Sequence, residues 1–152
     1  MKFLISTLAV LFILLLIGFC SVHSMIGDGS YALGKNLYLM DFDGGKIIVQ
    51  GTSVSDGICF GGVSVIPLYE EHYDSLGNVR EYVINAIADE RMIIAKTILV
   101  NEQKYKYYLI NKAFDEKNTS ETQIRDSFTY VLNSMHELNT FREKLLGDPS
   151  LR

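Results

Sequence analysis

The chain has 152 residues, the length of one domain, and its 48% hydrophobic and 21% charged residues are typical of a globular protein rather than a disordered one. Its net charge of −4 argues against a nucleic-acid-binding protein with a basic surface and against a polybasic membrane patch. We therefore expect one small acidic domain with no nucleic-acid partner.

Residues 1–19 have the pattern of an export signal. Lys2 precedes an almost uninterrupted apolar run from Phe3 to Ile17, which is how secretory signal peptides begin. The run is short for a membrane-spanning helix, which needs about 20 apolar residues, and no basic cluster follows it. The sequence predicts export to the cell envelope, with secretion as the alternative.

The apolar run ends at a cysteine. The segment Ile17-Gly18-Phe19-Cys20 resembles a bacterial lipobox, in which the cysteine is acylated and becomes the first residue of the mature protein. Phe19 stands where lipoboxes usually carry Gly, Ala or Ser, and such less strict lipoboxes are typical of Bacteroidota-like lipoproteins. Acyl chains on Cys20 would hold the protein on a membrane. Cleavage by ordinary signal peptidase and an uncleaved anchor are the alternatives.

The second cysteine, Cys59, lies in the apolar, glycine-rich run Ile58–Val63. If Cys20 is lipidated, Cys59 is a lone thiol, and such a residue is most often a small buried hydrophobe. The functional alternative is a nucleophile paired with His72 in a thiol or acid/base hydrolase. If Cys20 is free, a disulfide between Cys20 and Cys59 is the third interpretation.

Residues 20–29 are small and polar and are expected to form a tether, so that the folded domain covers 30–147 and a tail covers 148–152. A strand is expected from Tyr31 to Met40, interrupted near Gly34.

A turn at Asp43-Gly44-Gly45-Lys46 then leads into a strand over Ile47–Gln50, which makes a hairpin. Asp41 and Asp43 resemble the start of a calcium loop, but Thr52 stands where an EF-hand needs Glu. We therefore expect a turn and no metal.

The next strand is expected to end at Pro67, which lacks the amide hydrogen that a sheet requires. Glu70-Glu71-His72-Tyr73-Asp74 follows and is the densest group of candidate metal ligands in the sequence. Metal sites draw ligands from several elements, whereas a contiguous acidic run usually faces solvent. The sequence therefore predicts a solvent-facing loop here.

Two strands rich in branched apolar residues, Tyr82–Ala88 and Met92–Val100, form the clearest predicted hairpin. A further strand is expected over Lys104–Lys112, with Tyr105 and Tyr107 on one face and Tyr108 on the other. An aromatic row of this kind can stack on a sugar, so a glycan-binding site on this strand is one alternative, and ordinary strand packing is the other.

Apolar residues recur at steps of three and four after Ser120, from Ile124 to Leu145, and predict one helix from Glu121 to Leu146. Ser120 and Gln123 have capping-box spacing. The expected fold is thus α+β, an antiparallel β-meander of about five to seven strands packed against one long C-terminal helix. Alternatively, the apolar stripe docks against a partner helix.

Several segments together resemble small bacterial lipoproteins that carry a domain of unknown function. The matching features are Gly27 to Tyr31, Ile66-Pro67, Asp89–Lys96 and Tyr107–Lys112, within residues 20–112. The resemblance implies a location in the cell envelope and supplies no catalytic residues.

The sequence therefore favours a non-enzymatic envelope lipoprotein that binds a protein or surface ligand, in one version as an immunity-type inhibitor of a toxin. No phosphate-binding loop, zinc spacing or dinucleotide-binding glycine pattern occurs in the sequence, so no cofactor or metal is expected. The alternatives are the hydrolase that uses Cys59 and His72, and the glycan-binding module that uses Tyr105–Tyr108.

Overall fold

A computed structural model of the chain describes residues 30–51, 54–55, 58–59 and 61–147. The predicted leader, Cys20, the tether and the C-terminal tail lie outside these residues. Within the described ranges, no helix has the length and apolar character needed to span a membrane. The strands are β1 (Tyr31–Gly34), β2 (Leu37–Phe42), β3 (Gly45–Gly51), β4 (Val54–Ser55), β5 (Ile58–Cys59), β6 (Gly62–Ile66), β7 (Glu81–Ala88), β8 (Met92–Leu99), β9 (Lys104–Asn111) and β10 (Thr129–Leu132). The helices are α1 (Tyr69–His72), α2 (Glu121–Gln123) and α3 (Met135–Gly147), with a π-helical turn at Ile124–Phe128.

Eight of these strands form one antiparallel sheet in the order β1-β2-β3-β7-β8-β9-β10, with β6 also paired to β3. The remaining two, β4 and β5, form a small separate ladder. The prediction of an antiparallel sheet with helical additions is confirmed in this general form. The sheet is one strand larger than the upper expectation, and strands dominate the described residues.

The predicted hairpin at Asp43–Lys46 is present, whereas the single strand expected from Tyr31 to Met40 is two antiparallel strands, β1 and β2. The chain reverses between β2 and β3 at Asp43 and Gly44, whose φ angles are 30° and 90°. Positive φ at both central residues suits the right-handed twist of a two-residue hairpin, and Asp followed by Gly tolerates it best. The interruption expected near Gly34 is the turn at Lys35 and Asn36 that joins β1 to β2.

The register of β8 against β9 places neighbouring side chains on opposite faces. Ile93 pairs with Ile110 and faces the main core, whereas Ile94 pairs with Leu109 and faces the other side. The predicted alternation along β9 is therefore confirmed.

The main core lies between the two halves of the sheet. A single cluster collects Leu33, Leu37 and Ile48 from one half and Ile93 and Ile110 from the other. Because these side chains contact one another, the sheet bends back on itself and the core fills the inner face. The outer face of β8, β9 and β10 is covered by α3 through Leu138, Phe141 and Leu145.

The prediction of one helix over Glu121–Leu146 is wrong. Ser120 and Gln123 do form the predicted capping box, but regular helix ends at Gln123 and a π-helical turn follows. Residues Thr129–Leu132 then form β10, antiparallel to β9. The C-terminal helix, α3, starts only at Met135.

Two physical reasons explain the break. Thr129-Tyr130-Val131 is β-branched and aromatic, which favours a strand, and pairing with β9 covers an edge that would otherwise be bare. A second capping pair then starts α3, since the Glu137 amide donates to Ser134 Oγ at 3.1 Å and the Glu137 carboxylate accepts from the Asn133 amide at 2.9 Å. Side-chain periodicity alone could not reveal these two interruptions.

The β3–β6 pairing generates a stability prediction. A Cβ atom on Gly62 would lie 2.2 Å from the carbonyl oxygen of Gln50, a backbone atom that cannot move aside. Gly62→Ala should therefore lower the free energy of unfolding by about 1–3 kcal/mol, as overpacking usually does, measured by urea denaturation. Gly147→Ala, with open space around the new methyl group, is the control and should stay near the wild-type value. An unchanged Gly62→Ala protein would contradict this pairing.

Candidate functional site

The sheet has a corner where β3 leaves β7. Only Lys46 pairs with Val83 across this boundary. From Ile48 onward β3 pairs instead with β6, through Ile66. The two halves of the sheet are therefore hydrogen-bonded at a single point, and β7 continues beyond it with β8 as its neighbour.

A buried carboxylate anchors β7 beside this corner. Glu81 is only 1% exposed, and its side chain accepts hydrogen bonds from Thr97 Oγ1 at 2.6 Å, Tyr108 OH at 2.9 Å and Lys106 Nζ at 2.8 Å. These three donors come from β8 and β9, so the network ties three strands together. A buried charge is stable only when it is paired and hydrogen-bonded in this way.

The same network shifts the ionisation of Tyr108. Burial and the neighbouring Glu81 carboxylate raise the pKa of the Tyr108 phenol above its ordinary value of 10.0, because both disfavour a second negative charge. The phenol therefore stays protonated and continues to donate to Glu81.

His72 fills the place that β3 vacates. It ends α1, is 1% exposed, and its Nδ1 donates to the backbone carbonyl of Glu81 at 2.7 Å. Its ring contacts Phe42 and Tyr73. Its Nε2 is buried with no hydrogen-bond partner in the described part of the chain. The ring thus supplies a donor to a carbonyl of β7 next to the corner, and the backbone of this segment stays satisfied.

An open cleft of about 540 Å³ lies beyond the corner, between the β2–β3 turn and β7. Its apolar wall includes Phe42, Tyr82 and Ile84. Asp41, Asp43 and Lys46 also line the cleft and form its charged lip, and Tyr73 OH donates to Asp43 Oδ2 at 3.1 Å. This volume is within the range of ligand-binding pockets.

The lip of the cleft is acidic. The Lys46 ammonium lies 4.0 Å from Asp41, and both side chains are about half exposed. Two carboxylates against one ammonium leave the lip with an excess of negative charge, so it favours a cationic group.

The edge of β7 beyond the corner is bare. Residues 85–88 pair with β8 on one side, and Ile84 is the extra residue of a β-bulge just before them. Among the described residues no strand pairs with 84–88 on the other side. Ile84 is 40% exposed and Ile87 is 60% exposed. The segment Ile-Asn-Ala-Ile-Ala contains no charge and no proline, two of the usual protections of an edge strand, whereas the β-bulge at Ile84 is a protection that it does have.

The structure does not join the candidate catalytic pair. Cys59 is 5% exposed and packs with Tyr38, Ile47 and Val49, and its Sγ donates to the Gly61 carbonyl at 2.9 Å. The unpartnered Nε2 of His72 makes no hydrogen bond to this thiol. The interpretation of Cys59 as a buried small hydrophobe agrees with this position.

The prediction of a solvent-facing loop at Glu70–Asp74 is partly wrong. The segment begins in α1, and its histidine is turned into the protein. The reason is that the ring satisfies a β7 carbonyl and packs on aromatic rings, which outweighs the local polarity of the sequence. Within the described residues, no cluster of three metal-ligating side chains occurs, and Asp41 and Asp43 belong to a hairpin and its turn.

The tyrosines of β9 do not share one surface. Tyr108 is 6% exposed on the inner face, whereas Tyr107 packs beside α3 on the outer face. Tyr105 is 47% exposed, and the Lys96 ammonium lies 3.7 Å from the centre of its ring. A single half-exposed ring is thus available on this strand.

Sequence reasoning missed Glu81 and the cleft. One signal was present, since Glu81 alternates with Val83 and therefore points inward from the strand, as Lys106 and Tyr108 do on β9. A charge on the apolar face of a strand indicates a buried polar network. The cleft had no such signal, because it depends on where the β2–β3 turn lies relative to β7.

Comparisons with protein-family models, with curated proteins and with solved structures gave no match for this chain. The geometry of the site is therefore the basis for the proposals below.

The Tyr108 phenol generates a pH prediction. Above about pH 10 the unfolded chain ionises this tyrosine while the folded chain does not, so stability is lost as the pH rises, by about 1.4 kcal/mol per pH unit. The Tyr108→Phe protein should be less stable than wild type at about pH 8, because Glu81 loses a hydrogen-bond donor. Its free energy of unfolding, measured by urea denaturation, should also fall less steeply than that of wild type as the pH rises above about 10. Tyr105→Phe, on the outer face, is the control and should keep the wild-type profile. Equal slopes for Tyr108→Phe and wild type would refute the assignment.

Proposed function

We propose that the chain is an exported lipoprotein of the cell envelope, held to a membrane through Cys20, whose folded domain binds a protein partner without catalysing a reaction. One observation carries the binding part of this proposal: a bare strand edge, residues 84–88, beside an open cleft. Proteins use such edges and clefts to recognise extended segments of other proteins.

The location rests on the sequence. The apolar run of residues 1–19 followed by Cys20 and the resemblance to small envelope lipoproteins support export and lipidation. Several acyl chains give stable attachment, whereas a single chain gives only marginal binding.

The positions of Cys59 and His72 favour binding over thiol hydrolysis. A nucleophilic thiol needs an adjacent base within hydrogen-bond reach. Cys59 donates to Gly61 and His72 donates to Glu81, so each side chain is engaged in bonds that hold the fold.

The charge of the cleft also supports an inhibitor of the immunity type. The lip carries Asp41 and Asp43, and the chain as a whole is acidic. A basic toxin encoded beside this protein would fit that surface, and electrostatic complementarity would speed the association.

The proposed lipid anchor on Cys20 can be tested directly. Cys20→Ala should move the protein from the membrane fraction to the soluble fraction, because the acylated thiol is lost. Cys59→Ala, which removes a buried thiol, is the matched control and should stay in the membrane fraction. The intact mass of the membrane-extracted wild type should equal the chain from Cys20 plus acyl groups. A mass that includes Met1 and an unmodified thiol would rule out this location.

The cleft generates the second prediction. A photo-reactive phenylalanine analogue at Ile84, 40% exposed in the cleft, should cross-link to a specific partner in intact cells. The same analogue at Val131, 54% exposed on β10, is the control and should give no such product. Equal cross-linking from both positions would contradict a binding role for the cleft.

A further inference from the structure

We infer that the partner binds as an added β-strand along the free edge of β7, as an extended peptide that places a basic side chain at the acidic lip of the cleft. This inference rests on the proposed binding function and names the chemistry of the partner at the same site.

The free edge of β7 offers backbone groups to an added strand. Residues 84–88 present backbone N–H and C=O groups on the side away from β8, where among the described residues no strand pairs with them. An extended peptide can satisfy these groups with a ladder of hydrogen bonds.

The other sheet edges are poorer candidates. Both β1 and β10 have four residues, the same length as the regular edge of β7 after the bulge at Ile84. The free side of β6 is approached by α2 and the π-helical turn. The edge of β7 is preferred because it lies beside a cleft of about 540 Å³.

Apolar and acidic surfaces meet at one end of this edge. Ile84 lies on both the edge and the wall of the cleft, with Tyr82 beside it, while Asp41 and Asp43 form the lip. Alternate side chains of an added strand point toward the same face. A peptide with apolar residues at alternate positions and a lysine or arginine near the lip therefore complements both surfaces.

A second copy of this chain is the competing occupant, and its charges fit poorly. Antiparallel pairing of two β7 edges around Ala86 would bring the turn after β7, which contains Asp89 and Glu90 against Arg91, toward the acidic lip of the other copy. Both surfaces then carry an excess of carboxylates, and like charges facing each other are unfavourable.

The test uses the full chain extracted from membranes in detergent micelles and a displayed library of random ten-residue peptides, with empty micelles for counter-selection. Enriched peptides should alternate apolar residues and carry lysine or arginine. In synthetic copies, N-methylation of every second amide should weaken binding by about three- to tenfold per methyl group, because one hydrogen bond is lost. Methylation of the intervening amides, which face solvent in an added strand, should leave the affinity unchanged.

Two matched pairs of variants locate the site. Asp41→Lys should lower the affinity for the basic peptide by about tenfold. A peptide with glutamate in place of the basic residue should bind the Asp41→Lys variant with the lost affinity restored. Glu143→Lys, which makes the same charge change on α3, should have no effect. Ile84→Lys should weaken binding, whereas Val131→Lys on β10 should not.

Three outcomes would overturn the inference: no enriched peptide, equal loss from both methylation patterns, or a dimer whose β7 edges pair with each other. Strand addition could fail while the photo-reactive analogue at Ile84 still captures a partner in cells, and the proposed binding function would then stand with a different mode of recognition. If neither strand addition nor cross-linking from Ile84 is observed, the binding function is rejected as well.

Discussion

Strand β3 pairs with β7 at its start and with β6 along the rest of its length, and this change of neighbour is the constraint on which the rest of the structure depends. Lys46 pairs with Val83, and from Ile48 onward the strand belongs to β6. This exchange lets one half of the sheet fold over the other and enclose the main core. The far part of β7 has no neighbour on that side among the described residues for a different reason, since β3 begins at Gly45 and antiparallel β7 runs on past the β2–β3 turn to Ala88.

Buried polar groups hold that corner in place. Glu81 collects donors from β8 and β9, and the His72 ring satisfies the Glu81 backbone carbonyl. Tyr73, next to His72, donates to Asp43 in the hairpin turn. The wall and the lip of the cleft are thereby fixed to each other by hydrogen bonds, which suits a preformed binding site whose ordering cost is low.

Local patterns predicted local structure well. The turn at Asp43-Gly44, the β7–β8 hairpin and the faces of β9 followed from glycine placement and from period-two alternation. The long helix was wrong because β9 needed a neighbour, and Thr129–Leu132 supplied it as a strand. The cleft was not predictable, since the position of the β2–β3 turn relative to β7 depends on contacts distant in sequence. His72 was expected in solvent for the same reason.

Amide hydrogen exchange of the free full chain, read along β7 and β8, tests the central claim most directly. Alternate amides within residues 85–88 should exchange quickly, because they face no strand, while those between them should be protected by β8. Amides of β8, which has β7 and β9 on its two sides, should be protected throughout. Continuous protection along residues 84–88 would mean that the edge is already covered and would contradict the account.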